Sequence, residues 1–164
     1  MPPQNTITIL VDADACPVKE EIFKVAFRLK IGVILVTNSY FRIPNHPLIA
    51  IQVVNKEFDA ADDWIIQNCS TMSVVITSDI LLAHRCIQNH VGSVMGPNGN
   101  TFTEQNIGNS IAIRAIMADL RAGIENTKGQ TPFSKKDREK FLNTLDLELT
   151  KLKRLAIKVD NPGK

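Results

Sequence analysis

Five short apolar runs rich in β-branched residues alternate with stretches whose apolar positions recur at helical spacing. Ile7 to Val11, Val33 to Thr37, Leu48 to Val54, Ser73 to Thr77 and Val91 to Met95 read as strands, each closed by polar or turn residues. Between the first two, Val18 to Lys30 carries Ile22, Val25, Ala26 and Leu29 on one helical stripe, with Pro17 suited to the first helical position and Gly32 to the stop. Asp59 opens a second helix through Ala60, Ala61, Trp64, Ile65 and Cys69, and Ile80 to Asn89 forms a third. Thr103 to Ala122 reads as a longer helix, and Gly123 to Pro132 as a polar linker. Ser134 then caps a last helix, with Asp137 at its third position and Phe141, Leu145, Leu149, Leu152 and Leu155 along one stripe. The turn Gly96-Pro97-Asn98-Gly99 closes the fifth strand.

Strands that are apolar on both sides of the pleat need cover on both faces, which is the condition of a parallel sheet crossed by helices. The expected fold class is therefore α/β: three layers, with a mainly parallel central sheet of about five strands flanked by helices. Sheets of this kind bind ligands beyond the carboxyl ends of their strands.

Composition changes this picture little. The 164 residues are 44% hydrophobic and 22% charged, ordinary for one globular domain. The longest apolar runs fall far short of a bilayer span, and Met1 to Asn5 lacks a signal peptide's basic and apolar regions. The expectation is a cytoplasmic protein without a membrane partner. Cys16, Cys69 and Cys86 are too widely spaced for a disulfide framework or a zinc site, and His46, His84 and His90 share no metal spacing. Cys69 and Cys86 read as small hydrophobes. Cys16 lies just before the expected helix start, where a thiolate is favoured, and is kept as a site-lining residue. The net charge of +2 is uneven: residues 1–127 hold nine basic and twelve acidic residues, and residues 128–164 hold ten and five. An acidic pocket beside a basic tail suits a metal site that handles a polyanion, although a solvated helix is the commoner origin of such a split. No pattern in the chain fixes an oligomeric state.

The candidate chemistry lies in carboxylates that follow strands or open helices: Asp12 and Asp14, then Asp59, Asp62 and Asp63, then Asp79. Chain order in a βαβ protein puts all of them at one sheet edge. Capping accounts for Asp14, Asp59 and Asp79 one at a time, and Asp62 suits an acidic first turn. It accounts poorly for Asp12, which ends a buried strand and has a second carboxylate two positions on. Mg²⁺ or Mn²⁺ takes such oxygen ligands together with waters and phosphate, and clustered carboxylates repel unless a cation or a retained proton neutralises them. Asp12, Asp14, Asp59, Asp62 and Asp79 are the candidate metal ligands. Asp12, Asp14, Asp62, Thr77 and Asp79 are the candidate catalytic residues, and Cys16, Asn38, Arg42, Ser78 and Arg114 the candidate substrate contacts. A metal there polarises phosphate and activates water, so hydrolysis of a phosphodiester, RNA foremost, is the expected reaction.

Three strings carry a resemblance: Ile9 to Lys19 around Asp12-Ala13-Asp14-Ala15-Cys16-Pro17, Phe58-Asp59-Ala60-Ala61-Asp62, and Val75-Ile76-Thr77-Ser78-Asp79-Ile80. They resemble signatures of the YaiI/YqxD family of bacterial proteins, which is grouped with PIN-like nuclease folds. Met117 to Arg121 and Phe133 to Arg138 extend the likeness along most of the chain. The resemblance implies a PIN-like domain over residues 1–127, with residues 128–164 as the linker and basic C-terminal helix of the same domain. It implies that Asp12 matches the first PIN aspartate, that Asp62 (with Asp59 or Asp63 as rivals) matches the acidic residue of the central helix, and that Thr77 and Asp79 form the Thr-x-Asp motif. One position departs from the PIN pattern: Leu81 stands where a further aspartate is common, and Asp14 is the candidate replacement. Two alternatives stand beside the nuclease. One is a haloacid-dehalogenase-like phosphatase with Asp12 as nucleophile and Asp14 as general acid, against which the early place of Asp62-Asp63 counts. The other is a non-catalytic PIN-like module that binds RNA or a partner through Arg42, Lys56, Arg114, Arg121, Lys135, Lys136 and Arg138. One Tyr and one Trp offer no evident stacking platform.

Overall fold

The computed structural model describes residues 6–14, 16–108 and 133–160. Its strands are β1 (Thr8–Asp12), β2 (Gly32–Thr37), β3 (Ile49–Val53), β4 (Ser73–Ile76) and β5 (Ser93–Met95). Its helices are α1 (Lys19–Leu29), α2 (Ala60–Asn68), α3 (Ile80–Gln88) and α4 (Lys135–Asp160). The strands form one sheet in the order β3-β2-β1-β4-β5, and every pairing is parallel. The chain winds outward from β1 to β3, returns to the far side of β1, and winds outward again to β5. The direction of winding therefore reverses between β1 and β4, the place where such sheets open a crevice for ligands.

Alternation along the strands builds the three layers. Ile9, Val11, Val33, Leu35, Val74 and Ile76 bury against Ile22, Val25 and Ala26 of α1 and Phe141, Leu145 and Leu149 of α4. Leu10, Val36, Val75 and Val94 bury on the other face against Ile65 of α2 and Leu82, Ala83 and Cys86 of α3. Cover on both faces is why the strands are apolar without interruption. This is the α/β, three-layer arrangement expected of a PIN-like domain. Phe141, Leu145, Leu149 and Leu152 of the C-terminal stripe lie on the sheet side of α4, while Leu155, expected with them, is exposed. Arg28–Asp146 (2.7 Å) and Arg138–Glu21 (3.1 Å) tie that helix to α1. No helix among the described residues is long and apolar enough to cross a membrane.

The ends of α1 differ from expectation. Its first helical bond runs from the Ile22 N–H to the Val18 carbonyl (3.0 Å), while Pro17 sits in the preceding turn, where the Cys16 N–H reaches the Ala13 carbonyl (3.3 Å). Lys30, in left-handed conformation at φ 57°, ends the helix, and Gly32 already belongs to β2. Of the helix expected over Thr103 to Ala122, residues 104–108 are helical and the rest lies outside the described residues, as does the linker from Gly123 to Pro132.

Gly92 leads into β5 where the chain runs against the Thr71–Ser73 backbone. A Cβ there would stand 2.4 Å from the Thr71 carbonyl oxygen and 2.8 Å from that of Ser73. Backbone cannot swing aside as a side chain does, so Gly92→Ala is expected to cost about 1–3 kcal/mol. A urea midpoint equal to wild type would contradict this close approach.

Candidate functional site

Register places the first two functional side chains together. Leu10 pairs with Val75 on the α2/α3 face, so two residues further along the same face Asp12 meets Thr77. The buried Thr77 Oγ1 donates to Asp12 Oδ2 (2.8 Å) and accepts the Asp79 N–H (2.9 Å). One hydroxyl thus fixes both Asp12 and the backbone of Asp79. Asp79 Oδ1 accepts the N–H groups of Leu81 (2.9 Å) and Leu82 (3.3 Å) and caps α3. On the other side of Asp12, the end of β2 holds Asp14: Thr37 Oγ1 donates to its Oδ1 (2.5 Å) and the Asn38 N–H to its Oδ2 (3.2 Å). α2 packs over β1 and β2 and brings Asp62 down onto this edge. Asp12, Asp14, Asp59, Asp62 and Asp79 line one cleft of 350 Å³, with Asn38 and residues 55–58 on its rim.

The charges of this cleft act on one another. Burial pushes the Asp12 carboxyl above its ordinary range; the Thr77 hydrogen bond opposes this, and the charges of Asp79 and Asp14 add to it. Asp62 is pushed up to about 6, first by burial and then by Asp79, Asp12 and Asp59, with Arg85 opposing. Asp12, Asp14, Asp59 and Asp62 form no ion pair among the described residues. The oxygen donors have the chemistry a hard cation takes. Among the described residues, however, no three Asp, Glu, His or Cys side chains already stand close enough to hold a metal ion. One or two carboxylates, completed by water and substrate phosphate, are the usual protein share of a Mg²⁺ site, so the residues fit that ion and not an all-protein cage.

A family model described as "Uncharacterized BCR, YaiI/YqxD family" matches residues 10–151. The chain belongs to the YaiI/YqxD family. A UPF0178 protein of Sphingopyxis alaskensis is 56% identical over 147 residues, covering 89% of this chain and 95% of that one. UPF0178 proteins of Jannaschia sp. (50% over 148 residues; 88% and 94%) and Nitrobacter winogradskyi (47% over 150 residues; 92% and 95%) are similar along their lengths. No solved structure matches the chain. The five cleft aspartates of this YaiI/YqxD protein, and Glu57 on the rim, lie within the matched span.

Capping explains less of the cluster than the sequence allows. Of Asp14, Asp59 and Asp79, only Asp79 caps a helix with its side chain; Asp59 holds the N-cap position at φ 64° without a side-chain bond, and Val18 holds it for α1. Asp63 is no rival to Asp62, because it turns to α3 and pairs with Arg85 (2.9 Å). Cys16 packs half-buried on the α1/α4 core, away from the cleft, and burial pushes its thiol up, so it is no thiolate at a helix start. Arg42 is exposed in the β2–β3 loop, off the cleft. Ser78 is exposed on the ridge beside Asp79 and lines a neighbouring cleft, while Arg114 lies outside the described residues. Lys56, one of the expected phosphate contacts, lies on the rim beside Glu57 and Phe58, which the sequence did not single out as site residues; Phe58 is 93% exposed. Their only signal was adjacency to Asp59.

The raised Asp62 carboxyl has a consequence for stability. The folded chain keeps a proton there up to about pH 6, where the unfolded chain has lost it near 3.8. Stability therefore falls as pH rises between these values, and the whole penalty is present above pH 6. Asp62→Asn removes it. The unscreened equivalent is roughly 3 kcal/mol, and partial exposure reduces the expected gain at pH 7.5 to about 1 kcal/mol, with none below pH 4. Thermal melts of both proteins across that range measure it, and an equal gain at every pH would contradict the charge origin.

Proposed function

We propose that this YaiI/YqxD protein is a divalent-cation-dependent phosphodiesterase of PIN-like type, with RNA as its substrate and Mg²⁺ or Mn²⁺ as its cofactor. The observation that carries the reading is the half-buried pair Asp12 and Asp62. Burial and neighbouring charge hold both carboxyls high, and no basic side chain among the described residues forms an ion pair with either. A bound cation relieves that repulsion. Asp12 and Asp62 would hold it, with Asp79 and Asp14 close by for its waters; when bound it polarises the phosphate and makes water nucleophilic.

The chain's own groups have separate tasks. Thr77 Oγ1 fixes Asp12 Oδ2 in direction and holds the Asp79 backbone against it. Asp62 accepts no hydrogen bond among the described residues, which leaves its carboxylate oxygens for the cation alongside Asp12. The phosphatase alternative gains nothing, because both Asp14 oxygens are bound to the end of β2 rather than turned to a leaving group. A second reading, RNA binding without cleavage, is favoured by Leu81. It is 54% exposed where PIN nucleases often carry a further carboxylate, and Asp14 lies on the opposite, β2 side of the cleft.

Incubation of end-labelled single-stranded RNA with Mn²⁺-loaded protein between pH 5 and 8 separates the two. The phosphodiesterase reading expects cleavage that requires Mn²⁺ and declines towards pH 5, where protons compete with the cation for the raised carboxylates. RNA retained intact but bound would establish the second reading.

A further inference from the structure

Beyond the Ser78 ridge the same carboxyl edge opens into a second, larger cleft of 770 Å³. The two clefts share a wall: Asp79 lines the acidic one, and its neighbours Ser78 and Ile80 line the other. Phe102 and Phe133, both half-buried, give the second cleft two aromatic surfaces. Phe133 is held in place, because the Arg138 guanidinium stacks on its ring 4.9 Å from the centroid. That guanidinium is itself fixed by the Pro17 carbonyl (2.9 Å) and Glu21 (3.1 Å). Asn98 and Asn100 add polar edges. Asn98 Oδ1 accepts the Asn100 N–H (3.0 Å), and Asn100 Oδ1 accepts from Lys140 Nζ. Their oxygens are engaged, and neither Nδ2–H donates to another of the described residues, which leaves both as donors for a ligand. Asp137, the one acidic lining residue among the described residues, is occupied in capping α4 through Ser134.

Aromatic faces, amide donors and a volume within the roughly 300–1,000 Å³ of small-ligand sites suit a flat heterocycle with acceptor atoms on its edge. We propose that this second cleft holds an unpaired nucleobase of the strand whose phosphodiester lies over the acidic cleft, which makes the substrate single-stranded. The link to a strand rests on the acidic cleft being the phosphodiester site, as proposed above. In a duplex both faces of a base are stacked and its edge is paired, so no duplex base can enter. A single strand crossing the Ser78 ridge sets a phosphate on one side and a base on the other. Stacking of this kind tolerates any base, and the amides bias it towards those rich in acceptors.

Fluorescence anisotropy with a labelled eight-nucleotide single-stranded RNA, in Ca²⁺ buffer, tests this on the full chain. Wild type is expected to prefer the single strand to the same sequence in a duplex. Phe133→Ala should weaken single-strand binding roughly 5- to 100-fold, and Phe133→Tyr should restore it, since the ring is what stacks. Should Phe133→Ala fail to fold, photo-crosslinking wild type to a 5-iodouridine-substituted strand gives the same information. The crosslink should map to peptides containing Phe102 or Phe133. Equal binding by Phe133→Ala and wild type, equal preference for duplex, no binding of the single strand, or a crosslink elsewhere would overturn the proposal. Mn²⁺-supported hydrolysis of bis(4-nitrophenyl) phosphate by wild type, which needs no base, reports the phosphodiesterase reading separately. Base-dependent binding without that hydrolysis sinks only the latter.

Discussion

Asp12→Asn is expected to abolish saturable Mn²⁺ binding and to lower RNA hydrolysis by at least about 100-fold, the scale on which loss of one central electrostatic group is felt. Asparagine keeps the size of the side chain and an oxygen for the Thr77 hydroxyl, so the 2.8 Å contact survives. What disappears is the charge. Because burial and the neighbouring Asp79 and Asp14 disfavour that charge, the variant should be at least as stable as wild type near neutral pH. Loss of binding in a protein that melts no lower than wild type cannot be ascribed to unfolding. Metal binding retained by Asp12→Asn would mean that the cation sits elsewhere along the edge.

Phe141→Ala is expected to cost about 3–5 kcal/mol, the largest stability effect of any single substitution considered. The ring is fully buried in the cluster that joins α4 to α1 and the sheet. It also marks where α4 meets the turn after β5: a Cβ on Gly99, which has φ 86°, would stand 2.9 Å from the Phe141 nitrogen and 2.8 Å from Lys140. Truncation therefore leaves a cavity that this rigid contact keeps from closing. Leu155→Ala, on the same helix but 51% exposed, should cost well under about 1 kcal/mol. Urea denaturation of the two variants measures the contrast. Similar small losses in both would mean that α4 is not part of the cooperative core.

Much of this architecture is legible in the chain because burial on both faces leaves strands with no polar position to hide. All five strands fall within about two residues of the apolar runs that announce them. The convergence of Asp12, Thr77 and Asp79 is equally legible, since it follows from parity and register in a parallel sheet. The ends of α1 are not. A left-handed Lys30 does the work expected of Gly32, and only the chain's path decides that. Asp62 and Asp63 are indistinguishable as adjacent letters, and it takes Arg85, 22 residues after Asp63, to draw Asp63 away. Asp14 reads as a cap but is held by Thr37, because the turn before α1 delays the helix. The second cleft has no sequence signature at all. It joins Pro17, Ser78, Pro97 and Phe133 from four separate segments, and Gly96-Pro97-Asn98-Gly99 reads as a turn while also serving as a wall.

The most direct test of the acidic cleft as a cation site is calorimetric titration of Mn²⁺ into metal-free wild type and Asp12→Asn, in buffers of differing ionisation enthalpy. One saturable event in wild type, lost in Asp12→Asn, is predicted. Because Asp62 is half-protonated near pH 6, binding there should release a fraction of a proton, and binding at pH 8 almost none. No saturable binding by wild type, or binding unchanged in Asp12→Asn, would contradict the account.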